Sequence, residues 1–251
     1  MNATLPTEAL AVPEDGFHVS GLDHLGSHAP QFAQAYRALA ALPWERGPLP
    51  KFFKALVYVA VNATATQMHR EGTSVYIKKA LDLGATSAQV VEVLQLASTI
   101  GIHACVIGIP ALLEAIDPTG ERCNAGIEGS PELAAIKGRF IAQRGYWNPI
   151  WNGLLWLSPD YFEAFVAFSS EPWIRGTLAP KYKELIYIAT ATTTTHQFEI
   201  GARIHIRNAL ELGASADEIG EVLQLVSAIG IHACSLGLPI LAQELAVPRS
   251  A

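Results

Sequence analysis

Apolar residues fill the segment from Lys51 to Ala65 with no proline or glycine between them, which predicts a buried helix. Val57, Val59 and Val61 alternate, so a strand is the competing reading there. From Gln67 to Leu83 the helical period is clearer, and Gly84 stands where a capping glycine belongs. Thr86 and Gln89 have the spacing of a capping box and open a helix expected from about Ser87 to Gly108, with Pro110 suited to the first turn of a short terminal helix. Upstream, Pro30 introduces a short helix from Gln31 to Leu42, followed by a turn-rich stretch through Pro43, Trp44 and Pro48. Residues 1–28 have weak periodicity with several Pro and Gly residues, and read as an extended arm.

This pattern occurs twice. The segment Lys54 to Pro110 reappears as Lys183 to Pro239 without a gap, at an offset of 129 (183 − 54, and equally 232 − 103 for His103 and His232). Roughly half of the paired positions are identical, ending both times in GIHAC, and the pairing extends back to Pro30/Pro159 and Pro43/Pro172. The second capping box is Ser215 with Glu218, after Gly213. A helix from Pro131 to Arg144 ending at Gly145 precedes the second copy, then an aromatic stretch whose Trp147, Trp151 and Trp156 suit packing. No strand pattern is convincing. The expected fold is all-α, two tandem helical modules packed as a pseudo-dimer: an arm over 1–28, a first module over 29–116, a linker over 117–130, and a second module over 131–246.

Composition narrows the function classes. A net charge of −6 with few, scattered Lys and Arg residues gives no footprint for nucleic acid. The apolar runs are broken by Asn62, His69, Gln95 and His103, so no membrane span is expected; the N-terminus shows no secretory signal, and a cytoplasmic location is the default. Half of the residues are hydrophobic, high for a monomer, which predicts a homo-oligomer. Cys105, Cys123 and Cys234 form no C-x-x-C pair.

Candidate chemistry lies on two faces. Glu92, Gln95, Thr99 and His103 fall at i, i+3, i+7 and i+11, and Glu221, Gln224 and His232 repeat three of them. A polar stripe on an apolar helix fits a hydrogen-bonded seam between halves or subunits, with catalysis as the alternative. Cys105 and Cys234 lie two residues beyond the histidines, about 200° around a helix, and read as small buried thiols. The copies differ most before the Gly84/Gly213 turn, where Gln67, His69, Arg70 and Tyr76 are replaced by His196, Phe198, Glu199 and His205. His196, Glu199 and Arg203 share one face. A metal would want a third ligand where Arg203 stands, and that cation suits a substrate carboxylate instead. A solvated charged face is the bland alternative for this cluster.

The strings KELIYIATATT from Lys183, HIRNALELGASADEIGEVLQL from His205 and the closing GLP at Gly237, with their first-copy counterparts, resemble the carboxymuconolactone decarboxylase family, which shares its fold with disulfide reductases of the alkyl hydroperoxide reductase D type. The reductases carry a C-x-x-C pair seven and four residues before the helical histidine. Those positions are Phe198 and Gly201 here, and His69 and Gly72 in the first copy, so a dithiol peroxidase is disfavoured.

The decarboxylase branch implies a cofactor-free reaction on a small carboxylated lactone or aromatic-degradation intermediate, with no metal, and assembly of the duplicated chain as a trimer. On that resemblance His205 is the candidate acid/base, with His196 and Glu199 as secondary catalytic candidates. Arg203 is the candidate for substrate carboxylate, with Tyr76 and His69 as further substrate contacts. Glu184, replaced by Ala55 in the first copy, matches a family glutamate able to orient a histidine. A non-catalytic small-molecule binding or scaffold protein of the same fold, or a hydrolase or isomerase, is the alternative.

Overall fold

The structure is a computed structural model in which residues 22–246 are described. Every regular element among the described residues is a helix, with no strand among them. Most of the expected arm, residues 1–21, lies outside the described part, while Leu22–His28 form helix α1. Two compact units result, one formed by the chain up to residue 97 together with residues from 179 onward, the other by residues 98–178. These units cut across the expected module boundaries at 116/117 and 130/131, because the first helices of the two repeats pack on each other.

In the larger unit, α2 (Pro30–Glu45), α3 (Lys51–Ala63), α4 (Arg70–Asp82) and α5 (Ser87–Ser98) belong to the first half of the chain. Every residue of α3 from Phe53 to Asn62 is buried. A helix enclosed on all sides needs no amphipathic period, which is why its valines could also be read as a strand. Expected to begin at Gln67, α4 instead starts at Arg70, because the chain first turns through Met68 at φ 46°. Gly84 takes the left-handed conformation as its counterpart Gly213 does, and the Thr86/Gln89 capping box forms as expected.

The second half contributes α11 (Pro180–Ala191), α12 (Glu199–Glu211), α13 (Ala216–Ser227) and α14 (His232–Ala246). Helix α3 packs on α11 and α13, and two buried ion pairs join the copies there reciprocally: Lys54 with Glu221 at 2.5 Å, and Lys183 with Glu92 at 3.0 Å. Since 183 − 54 and 221 − 92 both equal 129, the contact is self-complementary under the repeat, as in a two-fold dimer. The seam expected of the polar stripe is therefore carried by its glutamates. The stripe itself does not run on as expected. Gln95 and Gln224 are exposed, and after α5 and α13 the chain tightens into 3-10 turns at Thr99–Ile102 and Ala228–Ile231, which shift the phase of the helices beyond them.

Gly47 sits against this seam. Its φ of 106° is left-handed, and a Cβ placed there would lie 2.6 Å from the Glu221 carboxylate carbon. Gly47→Ala is expected to cost roughly 2–4 kcal/mol, combining backbone strain with displacement of a buried charge, and urea unfolding measures it.

The smaller unit contains α6 (His103–Ile116), α7 (Glu121–Glu128), α8 (Pro131–Arg144), α9 (Asn152–Leu157) and α10 (Pro159–Ile174). The expected linker contains α7, nucleated by Asp117, whose carboxylate accepts from the backbone N–H groups of Arg122 and Cys123 at 3.3 and 2.9 Å. Phe140, Phe162 and Leu155 centre the core, with Trp147, Trp151 and Trp156 packed around it as the aromatic stretch predicts. Pro110 stands inside α6 rather than opening a new helix, with the 3-10 turn before His103 making the break.

By length and composition, Ser87–Ile116 and Ala216–Ala246 would suffice to cross a membrane, which the broken apolar runs of the sequence did not suggest. Each carries one of the seam glutamates. On α6 and α14, Ile107, Leu112, Leu236, Ile240 and Leu245 stand exposed.

Candidate active site

Helices α11 and α12 form an antiparallel hairpin closed by a turn in which the Phe198 N–H donates to the Ala191 carbonyl at 2.8 Å. The first copy closes its hairpin identically, from His69 to Asn62 at 2.9 Å. This geometry brings residues separated by about twenty positions face to face.

From α11 come Glu184 and Tyr187, and from α12 His205 and Asn208, each pair at i and i+3 on one helix face. His205 Nδ1 lies 2.6 Å from Glu184 Oε2, and Asn208 Nδ2 donates to Glu184 Oε1 at 3.3 Å. The His205 ring stacks on Tyr187 with centroids 4.6 Å apart. Glu184 is 1% exposed and His205 14%. Glu184 differs from the two seam glutamates in having no Lys or Arg partner among the described residues; an imidazole and an amide are what it holds.

A carboxylate only accepts hydrogen bonds, so an ionised Glu184 requires a proton on Nδ1 of His205. The other nitrogen, Nε2, makes no hydrogen bond to a described side chain and so keeps its own site for a proton. Glu184 thus fixes ring orientation and tautomer, and stabilises the imidazolium when Nε2 takes a proton. The pair can accept a proton at Nε2 or deliver one from it.

The first copy preserves the scaffold and lacks the Glu–His pair. Tyr58 and Tyr76, the counterparts of Tyr187 and His205, hold the same ring pair at 4.6 Å, and Ala55 stands where Glu184 would be. Tyr76 is fully buried, and burial raises the hydroxyl pKa of Tyr58.

The other expected site residues lie apart from this pair. Arg203 closes on Glu199 at 2.5 Å in an i,i+4 ion pair, with both side chains about three-quarters exposed (75% and 73%). Its position two residues before His205 turns it to a different face of α12. Half-buried His196 sits in the hairpin turn 5.9 Å from the Phe198 ring, and burial lowers its pKa. His69 caps α4, accepting from the Gly72 N–H at 3.1 Å, and stacks on His232 at 4.1 Å. Tyr187 and Asn208 were missed; their i+3 spacing from Glu184 and His205 was the available signal. Among the described residues, no group of three or more His, Cys, Asp or Glu side chains is placed to hold a metal.

The stacked histidines have a consequence for stability. Burial, and then the neighbouring His69, lower the pKa of His232 to about 4, with Glu71 pulling weakly the other way. Because the folded value lies below the ordinary value of about 6.5, the unfolded chain takes up this proton first. The stability it contributes is complete above pH ~6.5 and is lost as pH falls toward 4. Allowing for partial solvent screening, the loss is roughly 1–3 kcal/mol. The urea midpoint is expected to fall between pH 7 and 4.5, and to fall less in His232→Phe.

An all-helical duplicated protein with a carboxylate-oriented histidine in its second repeat is the class that fold and site define. The chain belongs to the carboxymuconolactone decarboxylase family, whose pattern it matches over residues 159–232. It is similar to a solved structure from Burkholderia xenovorans LB400 described as a "putative gamma-carboxymuconolactone decarboxylase subunit", with 39% identity and a TM-score of 0.83, covering 94% of this chain and 92% of that one. No curated protein matches it.

Proposed function

We propose that this protein is a cofactor-independent decarboxylase, or a closely related lyase, acting on a small carboxylated lactone, with His205 as its acid/base. The observation that carries this reading is the 2.6 Å contact between His205 Nδ1 and a buried Glu184 that has no Lys or Arg partner among the described residues, which leaves Nε2 without a hydrogen bond of its own. In the reaction the bond from the ring carbon to the carboxylate breaks and carbon dioxide leaves. The electron pair passes into the conjugated carbonyl as an enolate, and the imidazolium at His205 Nε2 returns a proton to carbon. Water then restores the proton to the imidazole, so no redox partner is needed.

We propose further that the chain acts as a homo-oligomer. The exposed apolar residues of α6 and α14 support this, since faces of that kind on a water-exposed surface mark interfaces. Sedimentation velocity tests it, with a monomer at micromolar concentration as the contrary result. Arg203 and Glu199 lie on the exposed surface of α12, where Arg203 is free to re-pair with a substrate carboxylate supplied across such an interface.

The reaction is tested by incubating the protein in D2O with a panel of carboxylated lactones that includes gamma-carboxymuconolactone. Carbon dioxide release with one deuteron placed on the product carbon is expected. Saturable binding of panel members with no carbon dioxide release would replace this reading with a non-catalytic binding protein.

A further inference from the structure

Glu184 has two oxygens and a single histidine, so its orientation needs a second contact to be determined. Oε2 meets His205 Nδ1 at 2.6 Å, and Oε1 is met by the Asn208 amide at 3.3 Å. A carboxylate 1% exposed with one oxygen unsatisfied would gain by rotating, sharing either oxygen with the imidazole or drawing in water. Asn208 removes that freedom, and its backbone stands one helical turn beyond His205 on the same face of α12. The first copy offers the contrast: where Asn208 would be, Lys79 lies over the Trp44 ring at 5.2 Å, and there is neither glutamate nor histidine to position.

We propose that Asn208 is the positioning residue of the acid/base pair: by holding Oε1 of Glu184 it aims Oε2 at Nδ1 of His205 and keeps Nε2 the reactive nitrogen. This rests on the reading of His205 as the acid/base. Asn208 meets Glu184 rather than the reacting nitrogen and acts through it. Replacing it by Ala removes the donor, and replacing it by Asp keeps the volume while setting a second carboxylate against Oε1. Both loosen the Glu184–His205 contact and allow the neutral ring to populate the tautomer protonated at Nε2, which presents no lone pair there for the proton that must be reloaded at Nε2 after each turnover.

The test is nitrogen NMR of the full-length protein labelled at its imidazole nitrogens, with the His205 signals assigned by their loss in His205→Gln. In the wild type at neutral pH the Nδ1–H form is expected to dominate the neutral ring. In Asn208→Asp and Asn208→Ala the two nitrogen shifts are expected to move toward each other as the tautomers mix, and carbon dioxide release from gamma-carboxymuconolactone to fall about tenfold in kcat with KM within about twofold. Wild-type tautomer shifts in both variants would overturn the role of Asn208, even with His205→Gln inactive. An active His205→Gln would instead overturn the acid/base reading, which the tautomer measurement does not depend on. Should Asn208→Ala not fold, the isosteric Asp variant carries the test.

Discussion

Lys54→Met is expected to destabilise the protein by about 3–5 kcal/mol, the cost of leaving a buried carboxylate without its cation. Lys54 is 2% exposed and Glu221 4%, and the ammonium also donates to the carbonyls of Pro43, Trp44 and Arg46 at 2.8, 3.1 and 3.2 Å. Without it, Glu221 keeps the Leu49 N–H at 2.9 Å as its remaining donor. Removing both charges, in Lys54→Met with Glu221→Leu, is expected to recover part of the loss, because the carboxylate is gone while the three carbonyls still lack their donor. Urea unfolding of the two single variants and the double variant separates these terms. A cost below about 1 kcal/mol for Lys54→Met would show that the seam is wet, and would remove the reciprocal ion pairs as the link between the repeats.

Glu184→Gln is expected to lower turnover by roughly 10²–10⁴-fold while changing stability little. The glutamine amide offers Nδ1 either an acceptor or a donor, and in the second case forces the proton onto Nε2. It also withdraws the negative charge that stabilises the imidazolium. The readout is kcat for carbon dioxide release beside the thermal midpoint; a drop in stability without a loss in kcat would make Glu184 a structural residue.

How much of this could be read from the sequence depended on what each residue's neighbours were. Capping boxes and glycine caps are local, so Gly84, Gly213, Thr86/Gln89 and Ser215/Glu218 stood where the pattern put them. Helix α3 left a strand open because residues buried on every side lose the period that distinguishes the two. Pro43 reads as part of a turn, yet it and its counterpart Pro172 lie inside the last turn of helices α2 and α10, each of which ends two residues further on. The 3-10 turns before His103 and His232 carry no proline and had no local signature.

At the site, comparison of the repeats singled out His205 against Tyr76, and the family glutamate pointed to Glu184. Tyr187 escaped notice because Tyr58 matches it, and a comparison built on differences passes over what the copies share. Arg203 looked close to His205 in sequence, but i+2 on a helix is a different face. Joining Glu184 to His205 takes the α11–α12 hairpin, a relation across helices that periodicity does not encode.

The most direct measurement is the rate of carbon dioxide release from gamma-carboxymuconolactone by His205→Gln beside the wild type, with folding checked by the thermal midpoint. A loss of at least about a hundredfold with the midpoint within a few degrees is the predicted result. A rate within about threefold of the wild type would contradict the assignment of the chemistry to the second repeat's histidine.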